Sequence, residues 1–488
     1  MATPPITFVP SPSYEAALRR AAELWGIQLE FWDIFGHHHV ASPETLSSVL
    51  RSLGVSSESA QSLNAAIESR LWSEWSSPVA QTLVVSLSAG AIPIQLKDSE
   101  AGAEIRFEWE SGGHTAVSVE SADSIHPDTA RLRDHQLIRI QVPLPKEATL
   151  GYHRVTVSTA GGRRAEGRLI LCPDQAWQPD FLRRGGRGAG VAISLYGLRS
   201  HRNWGCGDFT DLEHFTQWAS ETTGVAFVAL NPLHAIPNRQ PYNTSPYLPN
   251  CSFYRNGIYL DVERLDEFTQ SEWANRLLRS AKVQNCLAEL RAAPNVEYAK
   301  VWRLKLVFLK LAFREWLRRN PQGTGRREVF LRYIEGEGNL LHRFAVYQAL
   351  DEAVHKRDRN LWIWPDWPTT LHDPDSPQVR EFESTHATLI LFFKYVQWRI
   401  DGQVSAAQDF AQGLGMPIGL YHDLALATDR CGSDLWAHPQ AYVQGCRVGS
   451  PPDDFSPKGQ DWAFPPPNSI WHRDSGYELF VQSIRKNS

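Results

Sequence analysis

The stretch that decides the fold runs Val191-Ala-Ile-Ser-Leu-Tyr-Gly-Leu-Arg-Ser-His-Arg-Asn-Trp-Gly-Cys-Gly-Asp208. It continues through Leu230-Asn-Pro-Leu-His234 and Thr244-Ser-Pro-Tyr247 and closes on Tyr259-Leu-Asp261. Its opening is a short apolar run that stops in a Gly-rich turn, the pattern of a strand buried on both faces. Asp208 or Thr210 can cap the helix that follows, Leu212, Phe215 and Ala219 share one of its faces, and Gly224 ends it. Phe227-Val-Ala-Leu230 reads as a second buried strand, stopped by Asn231-Pro232. A strand–helix–strand unit of this size builds a doubly wound sheet or a (β/α)8 barrel. The long loop after the second strand carries His234, Tyr242, Asn243, Tyr247 and Tyr254. In a barrel that loop lies on the catalytic face.

Working outward, 488 residues are too many for one small core and predict two or three domains. The net charge of -5 is mild, and no basic stripe appears, which argues against nucleic acid as a partner. Eighteen Trp is a rich supply of flat apolar surface suited to sugar rings, although most Trp in any protein fill core. The six Cys form no C-x-x-C pair, so no zinc or redox site and no metal is expected. The N-terminus lacks the charged and apolar regions of a signal peptide, and the most apolar later run, Leu389 to Val396, is too short to span a bilayer. These features predict a cytoplasmic protein with reduced thiols and no membrane partner.

Residues 12 to 73 read as helical, with Ser42-Pro43 as a cap and first helical position, and 1–75 are assigned to an N-terminal helical segment. From Pro78 to Cys172 the period changes. Thr82–Leu87, Ile92–Leu96, Glu104–Trp109, Leu137–Val142 and His153–Val157 alternate or run apolar between turns, which predicts a β-sandwich over 76–173. A linker at 174–189 follows, then 190–488, which carry the strand–helix–strand unit and a helical insertion at about 264–355. Trp302, Leu306, Leu309, Phe313 and Leu317 form one apolar stripe of that insertion; Leu340, Phe344, Tyr347 and Leu350 form another. Both read as core. The Trp-rich stretch Leu361 to Pro368 either borders a cleft or anchors the insertion. Glu381 to Leu414 reads as one long helix, because Phe392, Phe393, Val396, Ile400 and Val404 keep helical spacing. Met416 to Tyr421 is the next buried strand, ending in His422-Asp423.

Asn203-Trp-Gly-Cys-Gly-Asp208, Asn231-Pro-Leu-His234 and Ser245-Pro-Tyr247, in this order and strand context, resemble the opening of the barrel in 4-α-glucanotransferases. These enzymes are also called amylomaltases or disproportionating enzymes (glycoside hydrolase family 77). The resemblance implies that 190–488 form the N-terminal part of the family's catalytic barrel, an incomplete (β/α)8 TIM barrel, and that the protein is a retaining transferase acting on α-1,4-glucans and maltooligosaccharides, with no cofactor. It implies substrate-binding roles for Asn231, His234, Ser245, Tyr247, Asp423, Gln460 and Trp462. Asp423 resembles the family's Asp that contacts sugar hydroxyls near the cleaved bond. Gln460 and Trp462 sit in Val448–Trp462, which looks like the family's substrate-embracing loop. A sugar can stack on the Trp, and the Gln offers both donors and acceptors. The likeness departs at Ala463-Phe-Pro-Pro-Pro-Asn468, where a Gly-Leu-Pro-Pro-like run is usual.

The chemistry itself needs two carboxylates about 5 to 5.5 Å apart, one a nucleophile and the other an acid and base. In the family the nucleophile stands in an Arg-Ile-Asp-His motif at a strand end. Arg399-Ile-Asp401 imitates that motif, but its helical spacing makes it a decoy. On this alignment nucleophile and acid fall beyond Ser488, so no residue present is assigned as catalytic and the isolated chain is expected to be inactive. Exposed strand edges and poor solubility are expected of the partial barrel. Three readings remain open: a fragment or interrupted gene of a 4-α-glucanotransferase, one part of a split enzyme completed by a second polypeptide, and a non-catalytic glucan-binding protein.

Overall fold

The computed structural model describes residues 5–120, 128–239 and 243–487. The chain forms two compact units, residues 1–177 with 440–480, and residues 178–439 with 481–488.

The first unit begins with β1 (Ile6–Thr7) and three helices, α1 (Tyr14–Leu24), α2 (Pro43–Ser52) and α3 (Ala60–Ser76). Ser13, Ser42 and Ser59 cap them, each side chain accepting a backbone N–H of the first turn. Ala17, Leu18, Leu46, Leu50, Leu63 and Ile67 pack as their shared core. The uniformly helical reading of 12–73 is corrected in one place. Between α1 and α2, β2 (Glu30–Trp32) and β3 (His38–Val40) pair antiparallel. Asp33 makes the turn, its Oδ1 accepting from the backbone N–H of Phe35 and of His37, both at 2.9 Å. Side-chain bonding to the local backbone of this kind competes with helix.

The sandwich contains two sheets. β4 (Thr82–Ser86), β11 (Arg164–Cys172), β10 (Gly151–Thr159), β6 (Gly102–Glu108) and β7 (His114–Glu120) form one in that spatial order. β1, β8 (Asp128–Leu132), β9 (His135–Pro143) and β5 (Ala91–Lys97) form the other. Alternate residues face inward: Ile105, Phe107, Val155, Val157, Leu169 and Leu171 from the first sheet meet Ile92, Ile94, Ile138, Ile140 and Val142 from the second. Strands β7, β8 and β11, absent from the sequence reading, complete the layers. Residues 440–480 belong to this unit. Paired backbone bonds such as Val443 N–H to the Pro466 carbonyl (2.9 Å) and Trp462 N–H to the Val448 carbonyl (3.0 Å) close them into a long excursion.

The second unit opens with a single helical turn, α4 (Asp180–Arg183), and is built on three parallel strands. These are β12 (Gly190–Ile193), β13 (Phe227–Leu230) and β16 (Gly419–Tyr421), with β13 in the middle. Helix α5 (Phe209–Thr223) connects the first pair and ends at Gly224, in the left-handed region at φ 64°. After β13 the chain makes a short hairpin of β14 (His234–Ala235) with β15 (Cys251–Arg255). It then enters a helical region of α6 (Asp266–Thr269), α7 (Glu272–Leu278), α8 (Ala281–Ala292), α9 (Tyr298–Arg319) and α10 (Gly325–Arg357). Leu309, Phe313, Phe344, Tyr347 and Leu350 are buried, and Trp302, Leu306 and Leu317 pack against the same core. Trp367 is buried against Tyr347 (ring centroids 5.3 Å apart), so the Trp-rich stretch anchors the helices at that residue. The predicted single helix is two, α11 (Pro377–Thr385) and α12 (Ala387–Gly413), separated at His386.

Candidate functional site

The turn Asn203–Asp208 is a scaffold in which every polar side chain is occupied. Asp208 caps α5, accepting from the N–H of Thr210 and Asp211 (3.1 Å each), while Asp211 reaches back to the N–H of Asp208 (3.1 Å). This is a reciprocal capping box. Asp211 also accepts from the Asn203 amide (2.9 Å), and the Arg202 guanidinium joins Asp208, Asp211 and Asp261. Asp261 is the last residue of Tyr259-Leu-Asp261, so this arginine ties the two ends of the deciding stretch together. Burial, with the neighbouring charges of Asp261 and Asp211, pushes Asp208 up to about 6 against the pull of Lys305 and Arg202. The glycines are steric necessities: Gly205 has φ 86°, and a Cβ on Gly207 would collide with the Leu195 carbonyl oxygen.

Asn231 is buried at the end of β13. Its Oδ1 accepts from the Leu195 N–H (2.8 Å), and its Nδ2 donates to the Pro232 carbonyl (2.7 Å) and the Tyr259 hydroxyl (3.2 Å). It braces β12 against β13 with its own hydrogen-bonding capacity. His234 is 1% exposed, and its Nε2 accepts the Ala425 N–H at 3.1 Å, across 191 residues. Ala425 lies two residues beyond Asp423, so His234 holds the loop that carries that carboxylate. Burial, helped by the Arg255 guanidinium and by His422, pushes His234 down to about 4; burial and Arg255 do the same to His422. Both imidazoles are neutral at pH 7. Since Nε2 accepts, the His234 proton sits on Nδ1, which is buried without a partner among the described residues.

Ser245 shapes a turn: its N–H donates to Asn243 Oδ1 (2.9 Å) and its hydroxyl accepts from the Tyr247 N–H (3.3 Å). That turn leaves the Tyr247 ring 58% exposed. Its loop is laced to the segment after β16, through Asn243 Nδ2 to Asp429 Oδ2 (3.2 Å) and the Asp429 N–H to the Pro249 carbonyl (2.7 Å). Asp423 follows the end of β16 and is half-buried. The structure therefore places His234 in β14 and Ser245, Tyr247 and Asp423 on two connected loops of the second unit. Tyr242 lies outside the described residues.

Gln460 and Trp462 belong to the first unit. The indole N–H of Trp462 donates to Gln460 Oε1 (2.8 Å), and the Gln460 amide donates to the Ser456 hydroxyl (3.2 Å). The Trp462 ring stacks on Phe464 (6.1 Å, 21°) yet stays 45% exposed. Ala463 has φ 62°, a left-handed conformation at the position where the resembling family carries Gly.

Asp401 lies within α12, and its carboxylate takes Arg255 (2.7 Å) and Lys486 (2.9 Å). It is committed to a structural ion-pair network with Glu337, which Lys486 (2.5 Å) and the Tyr254 hydroxyl (2.9 Å) also bind. Sequence reasoning missed Arg255 and His422 as partners of His234. An Arg inside an otherwise apolar strand and the His beside Asp423 were the available signals. Among the described residues no group of three His, Cys, Asp or Glu is placed to hold a metal ion, and no helix is long and apolar enough to cross a membrane.

This architecture, a β-sandwich in one unit and a parallel sheet with abundant helix in the other, is amylomaltase-like. The crystal structure of amylomaltase from Corynebacterium glutamicum superposes with a TM-score of 0.78 at 26% identity, covering 97% of this chain and 64% of that one. The family model described as glycoside hydrolase family 77, 4-alpha-glucanotransferase, matches residues 193–488, and the MalQ N-terminal beta sandwich domain matches 78–173. The chain belongs to the 4-alpha-glucanotransferase family. The 4-alpha-glucanotransferase of Mycobacterium tuberculosis (strain H37Rv) is 32% identical over 458 residues, 92% of this chain and 61% of that protein. That of Haemophilus influenzae is 30% identical over 349 residues, 71% of this chain and 49% of that protein. The chain thus spans less than two thirds of the length of these relatives.

Proposed function

We propose that this chain supplies the glucan-binding front of a 4-alpha-glucanotransferase acting on α-1,4-glucans, and that by itself it binds maltooligosaccharides without transferring them. In this reading β12, β13 and β16 are the first three strands of a (β/α)8 barrel, whose C-terminal strand ends carry the chemistry. One observation carries the proposal. Asp423 is the sole carboxylate within two residues of the C-terminal ends of these three strands. Retaining transfer needs a pair about 5 to 5.5 Å apart, and the other tempting carboxylate, Asp401, is held in a helix by Arg255 and Lys486.

In this account, within the second unit, Asp423 accepts sugar hydroxyls and Tyr247 gives a stacking plane, with Asn231, His234 and Ser245 shaping their segments; within the first unit, Trp462 gives a stacking plane and Gln460 an amide. The six cysteines are free thiols, in keeping with a reducing compartment such as the cytoplasm. Incubating purified chain with maltotriose tests the proposal: no glucose and no longer oligomers are expected. Glucose release that disappears in Asp423→Ala would overturn it.

A further inference from the structure

The outward face of the five-stranded sheet holds a hollow of about 510 Å³ whose walls carry Arg106, Arg154, Arg164 and Arg168 together with Glu108, Glu166 and Asp474. Alternation along β6, β10 and β11 explains the placement. Ile105, Phe107, Val155, Val157 and Leu169 point into the core, so Arg106, Arg154, Thr156, Glu166 and Arg168 point out. Register then sets Arg154 directly opposite Arg168 on β11 and opposite Glu108 on β6, and like charges facing each other across two strands are destabilising.

The carboxylates nearby do not resolve that repulsion. Glu108 is taken by Arg106 (3.3 Å), Glu166 by Arg164 (3.1 Å) and Asp474 by Arg473 (3.2 Å). Arg168 donates only to a neutral acceptor, the Asp474 carbonyl (3.1 Å), and Arg154 has no ion-pair partner among the described residues. The Arg168 side chain also packs closely against the backbone at Gly476. A Cβ at Gly476, which has φ 72°, would strike its Cδ. Two arginines with unused donors thus leave paired positions of the sheet and line one concave site of the volume small ligands occupy.

We propose that this hollow is a binding site for a compact oxyanion of the phosphate class, held by Arg154 and Arg168. A planar guanidinium offers two parallel N–H donors to a phosphoryl group, and a pair of them neutralises its two charges while relieving their mutual repulsion. The same chemistry comes from free phosphate or from a phosphorylated sugar. Thr156 and Gln81, which also line the hollow, give hydroxyl and amide partners for the sugar of the latter.

Calorimetric titration of the full chain with inorganic phosphate, a hexose 6-phosphate and neutral maltose tests this, each at low and high salt. Saturable binding of at least one phosphate ligand, weakened by salt and reduced tenfold or more in both Arg154→Ala and Arg168→Ala, is the expected result. A hexose phosphate that binds tighter than phosphate marks a sugar-phosphate site; equal affinity marks a free-oxyanion site. Gly476→Ala, which displaces Arg168, should lower the same affinity. No binding of either phosphate ligand, or binding unchanged in both arginine variants, would overturn the proposal. So would maltose binding lost with the arginines while phosphate does not bind.

Discussion

The turn at 203–208 and the excursion at 448–462 matched the same family by motif, yet they are opposite kinds of structure. In the turn, Asn203, Asp208 and Asp211 commit their polar atoms to one another, to backbone N–H groups or to Arg202. In the excursion, Phe455 is 96% exposed, Trp462 is nearly half-exposed, and the Gln460 side chain hydrogen-bonds to Ser456 and Trp462. A motif match alone does not say whether a residue builds a site or touches a ligand. Hydrogen-bond occupancy does: a buried side chain with no capacity left is scaffold, and an exposed ring with one free face is a contact.

Substitutions can break or sharpen that contrast. The largest effect is expected for Asp208→Ala, which removes a helix cap and leaves Arg202 short of a buried partner. Thermal or urea unfolding should show a loss of about 3–5 kcal/mol. A shift under about 1 kcal/mol would mean the turn is not the scaffold described.

Next in size is the pH dependence set by His234. Its folded value of about 4 lies below the ordinary 6.5, so between these values the unfolded chain binds a proton that the fold refuses. Stability is therefore complete above about pH 6.5 and falls as pH drops toward 4, by up to about 3 kcal/mol from this residue. His234→Gln, which keeps an acceptor for the Ala425 N–H, should lessen the fall in melting temperature between pH 7 and 4.5, while His422, held equally low, keeps its own share of it. An unchanged slope would contradict the assignment.

Smaller again, Trp462→Ala should leave the melting temperature within about 1 °C but weaken maltoheptaose binding about tenfold, as an exposed contact does and a scaffold does not. The smallest effect belongs to Ala463→Gly. Removing a Cβ from a left-handed residue should raise stability by about 0.5–1 kcal/mol, and a destabilised variant would refute the strain.

The sequence made some of this legible because the signals were local. Asp208 as cap, Gly224 as terminator and the apolar runs before Asn231 and His422 need only neighbouring residues to be read, and the helical spacing around Asp401 exposed the decoy. The hairpin at 30–40 was lost because Leu24, Trp25 and later apolar residues continue a helix-like rhythm, while Asp33's competing turn bonds leave no periodic trace. Strands β7 and β11 carry a weak apolar signal, since their inward positions include Thr115 in the one and Ala165 and Gly167 in the other. The tie from His234 to Ala425, and the effect of the Arg255 charge on His422, cross well over a hundred residues and exist only once the chain has folded. The roles of Asn231 and Ser245 were legible as importance, not as kind, because bracing and binding select the same polar residue types.

Titration of the purified chain with maltoheptaose, wild type beside Asp423→Ala, tests the central claim most directly. The account predicts saturable heat near one site per chain, lost or cut at least tenfold in Asp423→Ala while the melting temperature stays unchanged. No measurable heat from the wild type, or equal affinity in the two proteins, would contradict it.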